Sequence, residues 1–244
     1  MKKIIIVFIA SILIVNCTEN GKSHLIPALE IRNKISNALK SLSVIELTCL
    51  HAGLVDVHKL DTTIAVDLKY STSDNFVHCD MYGDFNKAYL QKDVAEKLIK
   101  AQKYLKELKE GYRLIIYDAV RPRSVQQKMW DTLKIPFNDK IKFLSNPKLG
   151  SLHNFGAAVD ISILDEKHQA LDMGTPYDYQ GDLAYPKLEV TLLSEGKLSA
   201  EQVENRRLLR KVMYKAGFFN IETEWWHFNS CTLEQAIEKY KIIK

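Results

Sequence analysis

The sequence predicts a single α+β domain with a largely antiparallel central sheet flanked by helices. Three observations carry this. Strand-like and helix-like segments are mixed along the chain without the regular strand–helix–strand alternation of a doubly wound sheet. The 244 residues suffice for one well-packed domain with a sizeable core and barely for two. Apolar residues make up 46% and charged residues 26%, the proportions of an ordinary globular chain, with no internal repeat and no low-complexity segment. The 34 Lys and Arg against 30 Asp and Glu leave a net charge of +4, with no basic stripe and no interleaved aromatics, so nucleic acid is not an expected partner.

Taken in order, residues 1–17 differ from the rest. Lys2 and Lys3 precede an almost unbroken apolar run over 4–15. It is too short to span a bilayer, which takes about 20 apolar residues, and has the form of a signal peptide. It ends in Ile14-Val15-Asn16-Cys17, which resembles a bacterial lipobox with Cys17 at the lipidated position, although Asn16 departs from the usual Gly or Ala. The expectation is an exported protein in the periplasm or on the outer envelope surface, held at the membrane through an N-terminal lipid. Residues 18–29 read as a tether and 30–244 as the domain.

Residues 30–50 carry Ile31, Ile35, Leu39 and Leu42 at helical spacing. Residues 64–68 alternate and predict a strand. Residues 93–108, with Val94, Leu98, Ile99 and Leu105 on one side, predict an amphipathic helix. A buried strand is expected over 113–117, a helix over 124–133 with Ser124 as its cap, and a β-branched strand over 157–164. A long helix over 199–216 has Ser199 and Gln202 in a capping-box pattern and Gly217 at its end. A strand over 219–228 and a closing helix over 232–240 complete the domain. With Cys17 set aside, Cys49, Cys79 and Cys231 are an odd number. A Cys49–Cys79 bridge is one option in an oxidising compartment, and the absence of any CxxC pair or Cys/His knuckle argues against a cysteine-built zinc site.

Three segments carry chemistry. In SLHNFGAAVD, His153 lies in a Gly-containing turn and Asp160 interrupts an apolar strand. A carboxylate there is costly unless paired or bound to a metal, and the plainer alternative is hydrogen bonding to a neighbouring loop. In EWWHF, Glu224 and His227 stand three apart among aromatics. That is the logic of a zinc hydrolase, whose glutamate takes a proton from a water acidified by the metal; the alternative is an aromatic core strand. In YDAVRP, Arg121 follows a buried strand and is fixed by Pro122, placed for a substrate carboxylate or an oxyanion, or else for a surface pair with Asp118. Together they supply two His and one Asp as ligands, a Glu as base and an Arg as electrophilic aid, the set that metal-assisted amide hydrolysis requires.

SLHNFGAAVD resembles the SxHxxGxAxD motif of the zinc D-Ala-D-Ala peptidases and EWWHF resembles their ExxH motif. The doubled tryptophan points to the VanX-type D-alanyl-D-alanine dipeptidase branch, and DLKYSTSDNF, DMGTPYD and NRRLLRKVMYKAGF agree with it, so that the resemblance runs over 66–228. It implies one Zn2+ per chain on His153, Asp160 and His227, with Glu224 as general base and Arg121 on the oxyanion. It also implies Ser151 at the substrate's C-terminal carboxylate, and Asp178 and Tyr70 near its free amino group. The implied substrate is a small D,D-dipeptide and the implied fold a small α+β domain with a confined cavity; no protein partner is inferable. Residues 181–197 match less clearly and are expected to reshape the pocket rim, and Leu152 beside His153 to change local packing. Two alternatives stay open: a D,D-carboxypeptidase trimming longer wall peptides, and a non-catalytic peptidoglycan-binding lipoprotein.

Overall fold

A computed structural model describes residues 42–244, of which Ser43–Lys244 form one unit. The expected signal peptide, Cys17, the tether and the first part of the 30–50 helix lie outside the described residues. The chain enters through α1 (Val44–His51), started by a reciprocal Ser43–Glu46 capping box. After β1 (Val55–Asp56), the short α2 (Val57–Leu60) and β2 (Ala65–Val66) come β3 (Tyr89–Leu90) and the amphipathic α3 (Lys92–Leu108). Next are β4 (Arg113–Asp118), α4 (Arg123–Thr132), α5 (Phe137–Phe143) and β5 (Ala158–Leu164). The chain closes with α6 (Glu189–Ser194), α7 (Ala200–Lys215), β6 (Phe219–Asn220), β7 (His227–Asn229) and α8 (Leu233–Lys239).

The main sheet has the order β2-β4-β5-β7-β6, with β2 parallel to β4 and every other pair antiparallel; β1 and β3 form a separate antiparallel pair. This is the α+β class with the mostly antiparallel sheet that the mixed pattern predicts. One face of the sheet carries Leu114, Ile116, Val159, Ile161, Ile163 and Phe228, all buried in one cluster with Val94, Leu98 and Leu105 of α3 and Leu209, Val212 and Met213 of α7. Truncating one of these, as in Leu98→Ala, is expected to cost about 2–5 kcal/mol. The opposite face turns toward the polar residues described below. Among the described residues no helix is long and apolar enough to cross a membrane.

Several expectations are corrected. The 219–228 segment is two short strands rather than one, because residues 221–226 leave the sheet as the loop of a hairpin. Ser124 does not cap α4; that helix starts one residue earlier, after Pro122, whose fixed φ enters a helix readily. Cys49, Cys79 and Cys231 are all free thiols, with Cys49 buried in the core and Cys79 exposed, so the Cys49–Cys79 bridge is not formed. Residues 181–197, for which no element is predicted, coil through two 3-10 turns into α6.

Candidate active site

Alternation along a strand places every second side chain on one face, and antiparallel pairing sets those side chains opposite their partners. Across the centre of the sheet Asp160 of β5 is the register partner of His227 of β7 on one side and of Asp118 of β4 on the other. Asp118 reaches this row only through a bulge: Ile116 pairs with Ile161, yet Asp118, two residues on, pairs with Asp160, one residue back. Without the extra residue its side chain would join Leu114 and Ile116 on the apolar face. His153 comes from the 3-10 turn Leu152–Phe155 that feeds β5. Gly156 closes that turn at φ +64°, a conformation glycine adopts without steric cost, and a Cβ there would lie 2.9 Å from Leu54 Cδ2 and force that side chain to shift.

These elements bring three ligand atoms together. His153 Nε2 lies 3.2 Å from His227 Nδ1 and 3.3 Å from Asp160 Oδ1, and His227 Nδ1 lies 3.0 Å from Asp160 Oδ1. Three ligands ~2.0–2.1 Å from a tetrahedral zinc stand ~3.3–3.4 Å apart, so the triangle has the size of one face of such a site. The rear atoms are already engaged. His153 Nδ1 donates to Ala119 O at 2.7 Å and His227 Nε2 to Asn229 Oδ1 at 2.8 Å, which turns one lone pair of each ring toward the triangle. Asp160 Oδ2 accepts from Tyr177 Oη at 2.9 Å. The donor set, two imidazoles and one carboxylate with their outer hydrogen bonds in place, fits a zinc ion.

The triangle opens into a cavity of about 280 Å³. That is at the small end of ligand sites, which run from about 300 Å³ upward. Its walls include all eight residues singled out from the sequence within the described region: Tyr70, Arg121, Ser151, His153, Asp160, Asp178, Glu224 and His227. Glu224 reaches in from the hairpin loop, with Oε2 3.9 Å from His227 Nδ1.

A family model described as D-ala-D-ala dipeptidase matches residues 50–241. The chain belongs to that family. The D-alanyl-D-alanine dipeptidase of Escherichia coli (strain K12) is 30% identical over 72% of this chain and 83% of its own length. The enzyme of the same name from Enterococcus faecium is 25% identical, over 66% of this chain and 83% of its own. Among solved structures, VanYB in complex with D-Alanine-D-Alanine aligns at a TM-score of 0.39 and 16% identity, over 62% of this chain and 76% of that one. So loose a superposition places no residue.

The charges in this family member's cavity oppose one another in an informative way. Burial raises the Asp160 carboxyl, but the two histidines beside it outweigh that and hold it well below the usual range. Burial raises Glu224 above its ordinary value, Asp160 adding to the effect while His227 and His153 oppose it. Burial, then the Asp160 charge, pushes Asp178 well up; Tyr70 Oη donates to its Oδ1 at 3.2 Å, but buried Oδ2 has no hydrogen-bond partner among the described residues. Arg121 is buried with its Nε and Nη2 2.9 and 2.7 Å from Asp118 Oδ2, and its guanidinium carbon 4.8 Å from the centre of the Tyr70 ring. It therefore faces the cavity and also pairs with Asp118, joining two readings that the sequence left apart. Ser151 Oγ donates to Gln126 Oε1 at 3.0 Å, so a carboxylate in the cavity draws that proton away by one hydroxyl rotation.

Four residues of the site escaped the sequence reading as contributors. Asp118 enters the sequence reading only as the partner of Arg121 in the alternative surface pair, though the argument made for Asp160, a carboxylate in a buried strand, applies to it equally. Asn229 follows His227 by two and shares its strand face, a period-2 signal. Tyr177 and Gln126 gave no such signal. Gln126 lies in mid-helix and meets Ser151 and Asn154 only through the fold.

Proposed function

We propose that this chain is a zinc-dependent D-alanyl-D-alanine dipeptidase that works outside the cytoplasm in the turnover or scavenging of cell-wall peptides. The observation that carries the reading is the ligand triangle beside Glu224 in a small cavity of a D-Ala-D-Ala dipeptidase family member. His153 Nε2, Asp160 Oδ1 and His227 Nδ1 would hold the ion, and zinc bound there supplies Lewis acidity, lowering the pKa of water to about 7 and polarising the scissile carbonyl.

The chain's own groups do the rest. Glu224, a carboxylate that burial makes more basic than a free one, accepts the proton of the attacking water as the new C–O bond forms. It then delivers that proton to the amide nitrogen as the C–N bond breaks. Arg121 uses Nε and Nη2 to hold Asp118, which leaves Nη1 for the developing oxyanion. The Asp178 carboxylate, in the cavity wall, accepts from the substrate's ammonium, and Ser151 donates to its terminal carboxylate. A carboxylate in the cavity wall that accepts an ammonium favours a free dipeptide over the D,D-carboxypeptidase alternative, since a longer wall peptide carries no charge at that point and leaves Asp178 unpaired. A purely binding lipoprotein has no use for Glu224 and Arg121 at these positions.

The charged and apolar order of residues 1–17 supports export, and Cys17 supports a lipid that keeps the enzyme at an envelope membrane. The test of function is D-alanine release from D-Ala-D-Ala by the zinc-loaded protein beside Glu224→Ala and an L-Ala-L-Ala control. Release only by the wild type and only from the D,D substrate is expected; no release by a zinc-loaded wild type moves the assignment to longer peptides or to binding.

A further inference from the structure

Asp178 sits in a loop, and its position rests on a residue far from the chemistry. We infer that Arg206 is the positioning residue that sets substrate specificity, by pinning both shoulders of the loop at whose apex Asp178 lies. Arg206 belongs to α7 and is fully buried. Its Nε donates to Met173 O at 2.7 Å and its Nη2 to Leu183 O at 2.8 Å. Met173 is five residues before Asp178 and Leu183 five after it. One rigid, planar guanidinium thus fixes the distance between the two ends of the segment. Glu189, itself gripped by both Nη atoms of Arg210, lies 3.6 Å from Arg206 Nη1 and balances the buried charge.

The apex needs such support. Asp178 is a non-glycine residue at φ +60°, a conformation that costs energy unless its surroundings impose it. Outer stitches act on the first shoulder only: Gln202 Nε2 donates to Asp172 Oδ2 and Asn205 Nδ2 to Asp172 O. Within the loop, Tyr177 is tied to Asp160 and Thr175 to Trp225. Arg206 alone among these bridges the two shoulders, and a lysine in its place has no fork with which to bridge both carbonyls.

The inference rests on the reading of Asp178 as the ammonium acceptor, so the experiment separates the two. The zinc-loaded wild type, Arg206→Lys and Asp178→Asn are compared for kcat and KM on D-Ala-D-Ala and on N-acetyl-D-Ala-D-Ala. A misplaced Asp178 weakens one charge-assisted contact, so Arg206→Lys is expected to raise KM for D-Ala-D-Ala about tenfold, keep kcat within about threefold, and narrow the preference for the free amine. A folded Arg206→Lys with lowered Tm but unchanged KM and preference overturns the inference, since a merely structural arginine behaves that way. If Arg206→Lys does not fold, Arg206→Gln, an uncharged side chain that reaches only one of the two carbonyls and leaves Glu189 paired with Arg210, is expected to raise KM for D-Ala-D-Ala about threefold, and no rise overturns the inference. If Asp178→Asn itself leaves the preference intact, the ammonium reading falls; if it abolishes the preference while Arg206→Lys does not, only the role of Arg206 falls.

Discussion

At the centre of the sheet, each of His153, Asp160 and His227 has its rear polar atom tied down by Ala119 O, Tyr177 Oη or Asn229 Oδ1. At the Asp178 loop the backbone is left-handed and a buried carboxylate oxygen has no donor. The first region is satisfied in every direction but one, where it faces an ion. The second holds a carboxyl group with one oxygen bonded by Tyr70 and the other without a donor among the described residues. The contrast follows from the scaffolds: Asp160 and His227 sit on paired strands and His153 on a turn that feeds one of them, whereas the Asp178 loop can carry strain because its ends are fastened elsewhere.

Variants can break or sharpen this contrast. Glu224→Ala removes a proton carrier and leaves the triangle alone, so kcat is expected to fall about 10²–10⁴-fold with zinc content unchanged by metal analysis. Arg121→Ala is expected to lower kcat about 10²–10³-fold. Because it strands the buried Asp118, it also loses roughly 3–5 kcal/mol in urea unfolding, a loss Glu224→Ala does not share. Asn229→Ala frees the rear of His227, and chelator competition is expected to show zinc affinity down about 10–100-fold.

The smallest effect runs the other way. Asp178→Asn removes the unmet charge and is expected to raise the Tm of the metal-free protein by about 2–4 °C at neutral pH, the equivalent of ~1 kcal/mol in a domain of this size. The sign follows from the raised carboxyl. Above its folded pKa the ionised Asp178 destabilises the native state, and below it the native wild type takes up a proton and recovers stability. The gap between variant and wild type should therefore close as pH falls through that pKa. A gap that widens toward acid would mean Asp178 is stabilised as a charge, and the contrast between the two regions would be lost.

How much of this was legible beforehand differs by element. The long helices were read to within a residue, since α3 and α7 announce themselves by one-sided apolar spacing and, for α7, by the Ser199–Gln202 capping box. The hairpin of β6 and β7 was read as one strand, because Trp225 and Trp226 look strand-like by composition while their burial comes from the loop side of the fold. The ligand residues stood out because charged or imidazole groups in apolar runs are costly without a partner. Their supports did not, because Gln126, Tyr177 and Arg206 are unremarkable in their own segments.

The sequence by itself determined the fold class, the family and the set of polar residues drawn into one cavity, because burial patterns and short motifs are local properties of the chain. Only the tertiary structure decided which nitrogen of each histidine faces the triangle, that a bulge turns Asp118 to the side of Asp160, and that one buried arginine fastens both ends of the Asp178 loop. Each of these depends on the register of strands or on a bond between residues distant in the chain. Such relations are set by the packing of the whole domain, and no local pattern encodes them.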